Sequence, residues 1–470
     1  MTHLTSAADP FNGKLNDQSD DLPVNLNVNL QHQWGRPDVT TERVIRLLLE
    51  HDHRFATARG QSMILRFEGK LISEGRAFLS KVFRICVYFD SQTKSDGKVQ
   101  EINNSCHAID YSFVLKVTQH RNWKNYADEK MEGSIQTMLE EEKVAGQSDD
   151  KLLSVAASYH NSECEFYRLF SDGIPGIPLP EVYYIEPIDH EHDGLLIMED
   201  LTVCGDTLGY YGSATVEQVY AIAKAAAHLH VYCDDDKLRK WWSTKFGHVF
   251  LDLFVDEFQP TGFPMLQKHK QIVDLLDGVK ATFSREFCYD ALLNRAREYN
   301  AIAMIHSDLQ PNKQVPMLVN SIIWRNDQNG TLTNELASII DWQLCFGGNP
   351  FCDLARFIIC SVDKEVREVA EAKAFDLYYS EVSRLYKEHG NHVPYNLEQA
   401  RELYDLAVAQ MTGSMIILMA FIENRNTDKN ADIFVKRIAD GTAKAAEIIK
   451  QRKWDHYGKN VDCKAMMYKK

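Results

Sequence analysis

The sequence predicts an α+β protein in two lobes, a strand-rich N-lobe to about residue 200 and a mainly helical C-lobe beyond it. Three observations lead there. At 470 residues the chain exceeds what a single core usually organises. Strand-like runs rich in Val, Ile, Phe and Tyr gather before residue 200. After Leu201 helical spacing dominates, and strands do not alternate regularly with helices.

Taken in order, residues 1–37 are polar and poor in hydrophobic periodicity, and they read as a disordered, mobile tail. The start holds no apolar segment of the kind used for secretion. Thr40–Leu49 opens on a capping threonine and has apolar residues at helical spacing. Ser62–Phe67, Leu79–Phe89 and Tyr111–Thr118 read as strands, with a polar turn region at 91–104 before the third. Residues 123–170 are helical in composition, interrupted at 146–150, and the Pro-rich segment Gly173–Pro180 then turns the chain. Val182–Ile185 and Gly194–Met198 are two further strands. Beyond them come helices at Val216–Val231 and Lys268–Arg297, strand pieces at Ser321–Trp324 and Leu336–Ile340, and helices again from Cys352 to about Lys450. The basic end, Lys464–Lys470, reads as frayed.

Composition narrows the function classes. Apolar residues at 44% and charged residues at 25% are globular values. The net charge of −15 repels phosphate backbones and argues against a dedicated nucleic-acid partner. None of the ten cysteines forms C-x-x-C, which suits reduced thiols and a cytoplasmic location. The longest apolar run, Met415–Ile422, is far short of the ~20 residues that span a bilayer, so no membrane partner is expected. No G-x-x-x-x-G-K-[ST] occurs, which argues against a P-loop nucleotide site.

The most informative stretch is Ile305-His306-Ser307-Asp308-Leu309-Gln310-Pro311-Asn312, followed downstream by Ile339-Ile340-Asp341-Trp342-Gln343. A carboxylate delivered to the end of an apolar strand is costly without a cation partner. Two of them, Asp308 and Asp341, flank a hairpin. That arrangement suits phosphoryl transfer, with one Asp accepting the proton of an attacking hydroxyl and the other holding Mg²⁺ against the phosphates. Lys116 lies in the apolar run Phe113–Val117, where it needs an anion such as a nucleotide phosphate or a glutamate; an edge-strand lysine facing water is the ordinary alternative. Glu163 is the candidate glutamate, since Glu163 and Glu165 cannot share a helix face and Glu163 lies one turn before Phe166 and Tyr167. Glu165 is then expected in solvent. The segment Gly75–Val82, with Gly75 and Ser80, would cover the phosphates. The apolar strand Leu195–Leu201 would serve as a hinge, with backbone groups around Glu199 and Leu201 offered to an adenine edge.

Taken together, G-x-x-F-x-S-K-V, F-V-L-K, H-N-x-E-x-x-F-Y, L-I-M-E-D-L, H-x-D-L, I-I-D-W-Q and G-N-P-x-x-D-L-A-R resemble the ecdysteroid-kinase-like proteins. These are CHK kinase-like relatives of choline kinases and aminoglycoside phosphotransferases, with nematode and insect members. The resemblance runs from about residue 60 to 360. It implies a bilobal protein-kinase-like fold: a nucleotide-binding sheet over 38–200, and a catalytic loop and acceptor pocket over 201–470. It further implies transfer of the γ-phosphate of ATP, with Mg²⁺, to a hydroxyl of a small molecule. By the same resemblance Lys116 contacts the α/β-phosphates and pairs with Glu163, Asp308 is the catalytic base, Asp341 a Mg²⁺ ligand, and Asp353 a brace for the catalytic loop.

One departure bears on activity. The family's second metal ligand is an Asn five residues after the catalytic Asp, followed directly by two aliphatics and an aromatic. Here the forward count reaches Lys313, while the backward count from Ile322-Ile323-Trp324 reaches Ser321, so 313–320 reads as eight extra residues. Three arrangements fit: Asn320 reaches the metal, Asn312 replaces it, or the chain is a catalytically impaired pseudokinase acting as a ligand- or protein-binding module. Retained intron sequence would give the same pattern. Ser307 and Gln310 also depart, standing where the family usually has Gly and Trp.

Overall fold

The computed structural model describes residues 22–73, 80–90, 109–118, 148–189, 192–209, 211–243, 245, 251–310, 321–423 and 431–468. The chain divides into two units. One runs to Ser171 and resumes over Pro180–Val203; the other comprises Asp172–Leu179 and Cys204–Lys470.

The first unit is a five-stranded antiparallel sheet with helices. Thr40 caps α1 (Thr41–His51) by accepting from the Arg43 amide at 3.2 Å, and Asp52 caps α2 (His53–Arg59) through the Phe55 amide at 3.0 Å. The strands are β1 (Ile64–Leu71), β2 (Ser80–Phe89), β3 (Tyr111–Thr118), then, after helix α3 (Ser148–Leu169), β4 (Val182–Glu186) and β5 (Gly194–Glu199). Their order is β1-β2-β3-β5-β4. Alternating residues Phe113, Leu115 and Val117 of β3 turn one face into a core with Val44, Ile45, Leu48 and Phe55 of the first two helices. This leaves Lys116, on the other face, directed away from that core.

The expected mobile tail to residue 37 is corrected over 22–37, where the chain is packed. Val24 bridges to Ile64. Trp34 is buried, donates its indole N–H to Thr41 at 3.0 Å, and occupies the space that a side chain at Gly69 would need. Arg36 is buried too, bonded to Asp38, to Glu186 and to the Gly194 carbonyl. Scattered anchors of this kind leave no periodicity in a sequence.

In the second unit, β6 (Gly205–Asp206), β8 (Ile322–Asn326) and β9 (Leu332–Ile339) form one small sheet, and β7 (Ala303–Ile305) pairs with β10 (Phe346–Gly348) in another. The segment 172–179 joins this unit because the Pro178 carbonyl accepts from the Ile339 amide at 3.0 Å. The principal helices are α4 (Val216–Tyr232), α5 (Asp236–Trp242), α6 (Cys352–Ser361), α7 (Lys364–Glu388), α8 (Leu397–Glu423), α9 (Ala431–Arg452) and α10 (Cys463–Tyr468). Helix α4 starts on a capping box formed by Thr215 and Gln218.

Two expectations change here. Lys268–Arg297 is a chain of short helical turns, restarted at Ser284, whose hydroxyl accepts from the Phe287 amide at 3.2 Å. The basic end is a helix as far as Tyr468, with Cys463 and Met467 buried. Helix α8 is long and apolar enough over Leu397–Phe421 to cross a membrane, but 83% of its most apolar window is buried inside the protein. It packs on α6 and α9 as a core helix.

Candidate active site

In the first unit, β3 and α3 bring Lys116 and Glu163 together. The ammonium donates to Glu163 Oε2 at 2.6 Å, with both residues buried. A charge on a sheet interior is tolerated when its counter-charge is buried with it. Glu165 is half-buried rather than solvated.

Ser80 opens β2, and its hydroxyl is engaged at 2.7 Å by Thr118. Glu199 ends β5; its carboxylate takes Arg54 at 3.0 Å and the Glu181 amide at 3.2 Å, and its own amide donates to the Glu181 carbonyl. Leu201 is buried at the start of a short turn. Between them, Asp200 accepts from Arg84 (2.7 Å), Ser112 (2.6 Å), and the amide and hydroxyl of Thr202 (3.0 and 2.6 Å). Burial alone would raise this carboxyl. The bonds from Ser112, Thr202 and Arg84 outweigh burial and hold it below the usual range. The strand end is therefore fixed by Asp200. Gly75 lies outside the described residues, as do Asn312, Asn320 and the whole segment 313–320.

In the second unit, β7 runs directly into the loop His306–Gln310. Asp353, at the start of α6, accepts from the amides of His306 (2.7 Å) and Ser307 (2.8 Å), one on each carboxylate oxygen. Ser307 has φ +64°, a left-handed conformation that Gly adopts without steric cost. Its hydroxyl donates to the Leu344 carbonyl at 2.8 Å, which offsets part of the steric cost. His306 accepts the Asp308 amide on Nδ1 and reaches the Ile340 carbonyl from Nε2 at 2.9 Å, which fixes the tautomer with its proton on Nε2. Its ring packs on Trp342 with centroids 4.6 Å apart. The loop after β7 and the turn after β9 are thereby tied at the point where Asp341, itself in the left-handed conformation at φ +66°, leaves the strand.

Asp308 is buried, and Oδ1 is held by the guanidinium of Arg356 and by Gln310 Nε2 at 2.9 Å. Among the described residues no hydrogen-bond donor engages Oδ2. Burial pushes the Asp308 carboxyl up to about 6; the Asp341 charge acts in the same direction, and Arg356 opposes both. Gln310 and Ser321 close on each other. The Gln310 amide donates to Ser321 Oγ at 2.9 Å, the Ser321 amide to the Gln310 carbonyl at 3.3 Å, and Ser321 Oγ to the Asp308 carbonyl at 2.8 Å. The chain thus leaves and re-enters this region through one bonded pair.

Sequence reasoning missed Arg356. It closes the G-N-P-x-x-D-L-A-R motif. The signal was the three-residue spacing from Asp353, which puts both on one helix face. Asn349 of the same motif is a packing hub: its side-chain Nδ2 donates to the carbonyls of Ala291 (2.9 Å) and Leu403 (2.8 Å).

As to a metal, Asp308 and Asp341 offer oxygen donors only, which suits a hard cation. Among the described residues no group of three or more His, Cys, Asp or Glu converges. Mg²⁺ needs no such cage, being held commonly by one or two carboxylates together with substrate phosphates and water.

Comparison with known proteins gives the following. The family model DUF1679, described as "Uncharacterized oxidoreductase dhs-27", matches residues 70–450. A Caenorhabditis elegans protein of that name is 22% identical over 324 residues, 67% of this chain and 37% of that protein. The chain thus spans little more than a third of the length of this curated relative. Among solved structures, a putative aminoglycoside phosphotransferase from Ralstonia eutropha covers 87% of this chain and 98% of its own, at 11% identity and TM-score 0.41. A choline kinase from Cryptosporidium parvum covers 82% and 89%, at 13% identity and TM-score 0.38.

Proposed function

The chain belongs to the DUF1679 family, and from that premise and the two residue clusters we propose that it is a phosphotransferase moving the γ-phosphate of ATP to a hydroxyl of a small molecule. The observation that carries the proposal is Asp308: a buried carboxylate on a braced loop, anchored through Oδ1 by Arg356 and Gln310. A base of this kind accepts the proton of an incoming hydroxyl on Oδ2 as the oxygen attacks phosphorus. Lys116, oriented by Glu163, would bind the α/β-phosphates. Asp341 would hold Mg²⁺, with Asp308 beside it. Bound ATP and Mg²⁺ would supply the transferable group and the neutralisation of its charge. The oxidoreductase name is shared by the family model and a longer relative, and this sequence has no G-x-G-x-x-G dinucleotide fingerprint.

The test is ADP release across a panel of hydroxylated acceptors (steroids, choline-like amines, aminoglycosides), alongside the effect of ATP and Mg²⁺ on the melting temperature. The expected result is acceptor-dependent ADP release that Asp308→Asn abolishes. Stabilisation by ATP without turnover for any acceptor would instead favour the non-catalytic binding module. The absence of both stabilisation and turnover would end the kinase reading.

A further inference from the structure

Within one turn of α3 stand His160, Asn161 and Glu163, and each side chain bonds a segment outside the helix. His160 is 3% exposed. Its Nε2 meets the Glu186 carbonyl at 2.9 Å and its Nδ1 meets Thr118 Oγ1 at 3.0 Å. A carbonyl can only accept, so Nε2 carries the proton and Nδ1 is the acceptor. Thr118 must then donate to His160, which leaves its oxygen to accept from Ser80 at 2.7 Å. The direction of every bond from Ser80 through Thr118 and His160 to Glu186 is thereby set. Burial pushes the imidazole pKa down to about 4, so the ring stays neutral around neutral pH and this direction holds.

The surroundings are shaped for that ring. Gly194, paired with Thr118 across β3 and β5, leaves the space His160 fills; a Cβ there would lie 2.2 Å from Nε2. The next residue grips a second segment: Asn161 Oδ1 accepts the Ile188 amide at 2.7 Å and its Nδ2 donates to the Ile188 carbonyl at 2.9 Å. Glu163 follows one turn after His160 on the same face, at 2.6 Å from Lys116, which lies two residues before Thr118 on β3. Both members of the ion pair therefore have a neighbour, on their own element, inside the hydrogen-bonded chain.

We propose that His160 and Asn161 are positioning residues that lock α3 in place and hold Glu163 on Lys116. The purpose of the pair rests on the phosphotransferase reading above; the lock itself can be tested without nucleotide.

The experiment follows acylation of Lys116 in the full chain by an N-hydroxysuccinimide ester, read by peptide mass spectrometry against exposed lysines as internal clocks. Glu163→Gln marks the rate with the pair broken. Thr118→Val, which removes one hydroxyl and keeps the shape, and His160→Ala are expected to speed labelling of Lys116 about tenfold, the scale of one lost buried hydrogen bond. Amide exchange over 157–169 should quicken with it. Should His160→Ala not fold, Thr118→Val decides alone. Labelling in Thr118→Val at the wild-type rate, with Glu163→Gln faster, would overturn the lock. Glu163→Gln labelling no faster than wild type would overturn it too, because the pair would then not be what protects Lys116. An absent response to ATP would sink the phosphotransferase reading and leave the labelling result standing.

Discussion

Arg356 grips the Oδ1 oxygen of Asp308 from a position one helical turn beyond Asp353, whose own carboxylate holds the backbone of the same loop. One helix thus fixes both the path of the loop and the orientation of its acidic side chain. A carboxylate anchored at one oxygen presents the other in a set direction, which is what proton transfer from a bound hydroxyl requires.

The pH dependence follows from the elevated Asp308 carboxyl. The proton acceptor is the ionised form, and with the group pushed up to about 6 the protonated form persists well above the usual carboxylate range. Phosphoryl transfer should therefore fall about tenfold per pH unit below that value and level off above it. The pH profile of kcat/KM for ADP release checks this; a profile flat down to pH ~5 contradicts it.

Arg356→Met removes the cation that opposes burial, so the Asp308 carboxyl should rise further. The acid limb moves toward alkaline pH and the rate at neutral pH drops. At a pH where the carboxyl is still ionised, the uncompensated buried charge should also cost about 3–5 kcal/mol of stability. Adding Asp308→Asn to Arg356→Met should restore part of that loss in chemical denaturation, because the orphaned charge is gone; additive losses would contradict the pairing.

At Ser307 the left-handed backbone and the hydroxyl bond to Leu344 separate two substitutions. Ser307→Gly loses the bond but relieves the backbone, and should lie within about 0.5 kcal/mol of wild type. Ser307→Ala keeps the strain without the bond and should cost about 1 kcal/mol. Urea denaturation of both variants distinguishes these outcomes.

Deleting Lys313–Asn320 leaves Pro311 and Asn312 to join a Gln310–Ser321 pair already in hydrogen-bond contact. Shortening a closed loop from ten residues to two recovers on the order of 1 kcal/mol of closure entropy. The deletion should leave the melting temperature unchanged or slightly raised, with the pH profile retained. A drop of many degrees would show that the pair does not isolate the segment.

Much of the arrangement was legible in the sequence. Tyr111–Thr118 is a strand over the residues its alternation indicates, and Glu163 was separated from Glu165 by helix geometry alone. What escaped had no local signature. Arg356 acts across 48 residues of chain on a side chain no periodicity connects to it. Trp34 and Arg36 pack the N-terminal segment through isolated anchors, and a segment held that way has the composition of a tail. Lys268–Arg297 has helical composition, but Ser284 stops one turn and caps the next, where local hydrogen bonding overrides propensity.

The strand order has a consequence for a chain made from its N-terminus. β1, β2 and β3 are neighbours both in sequence and in space, so they can assemble as they emerge from the ribosome. The other edge of β3 must wait for β5, with Leu115 and Ile197 paired across 82 residues of sequence. At translation rates of about 5–20 residues per second, that edge stays open for roughly 4–16 seconds. Until then it is an apolar strand bearing one lysine whose glutamate is also still to come, and such an edge is a template for pairing with other nascent chains. Lys116 is then an unburied charge on that edge, and a charge so placed disfavours pairing with another strand.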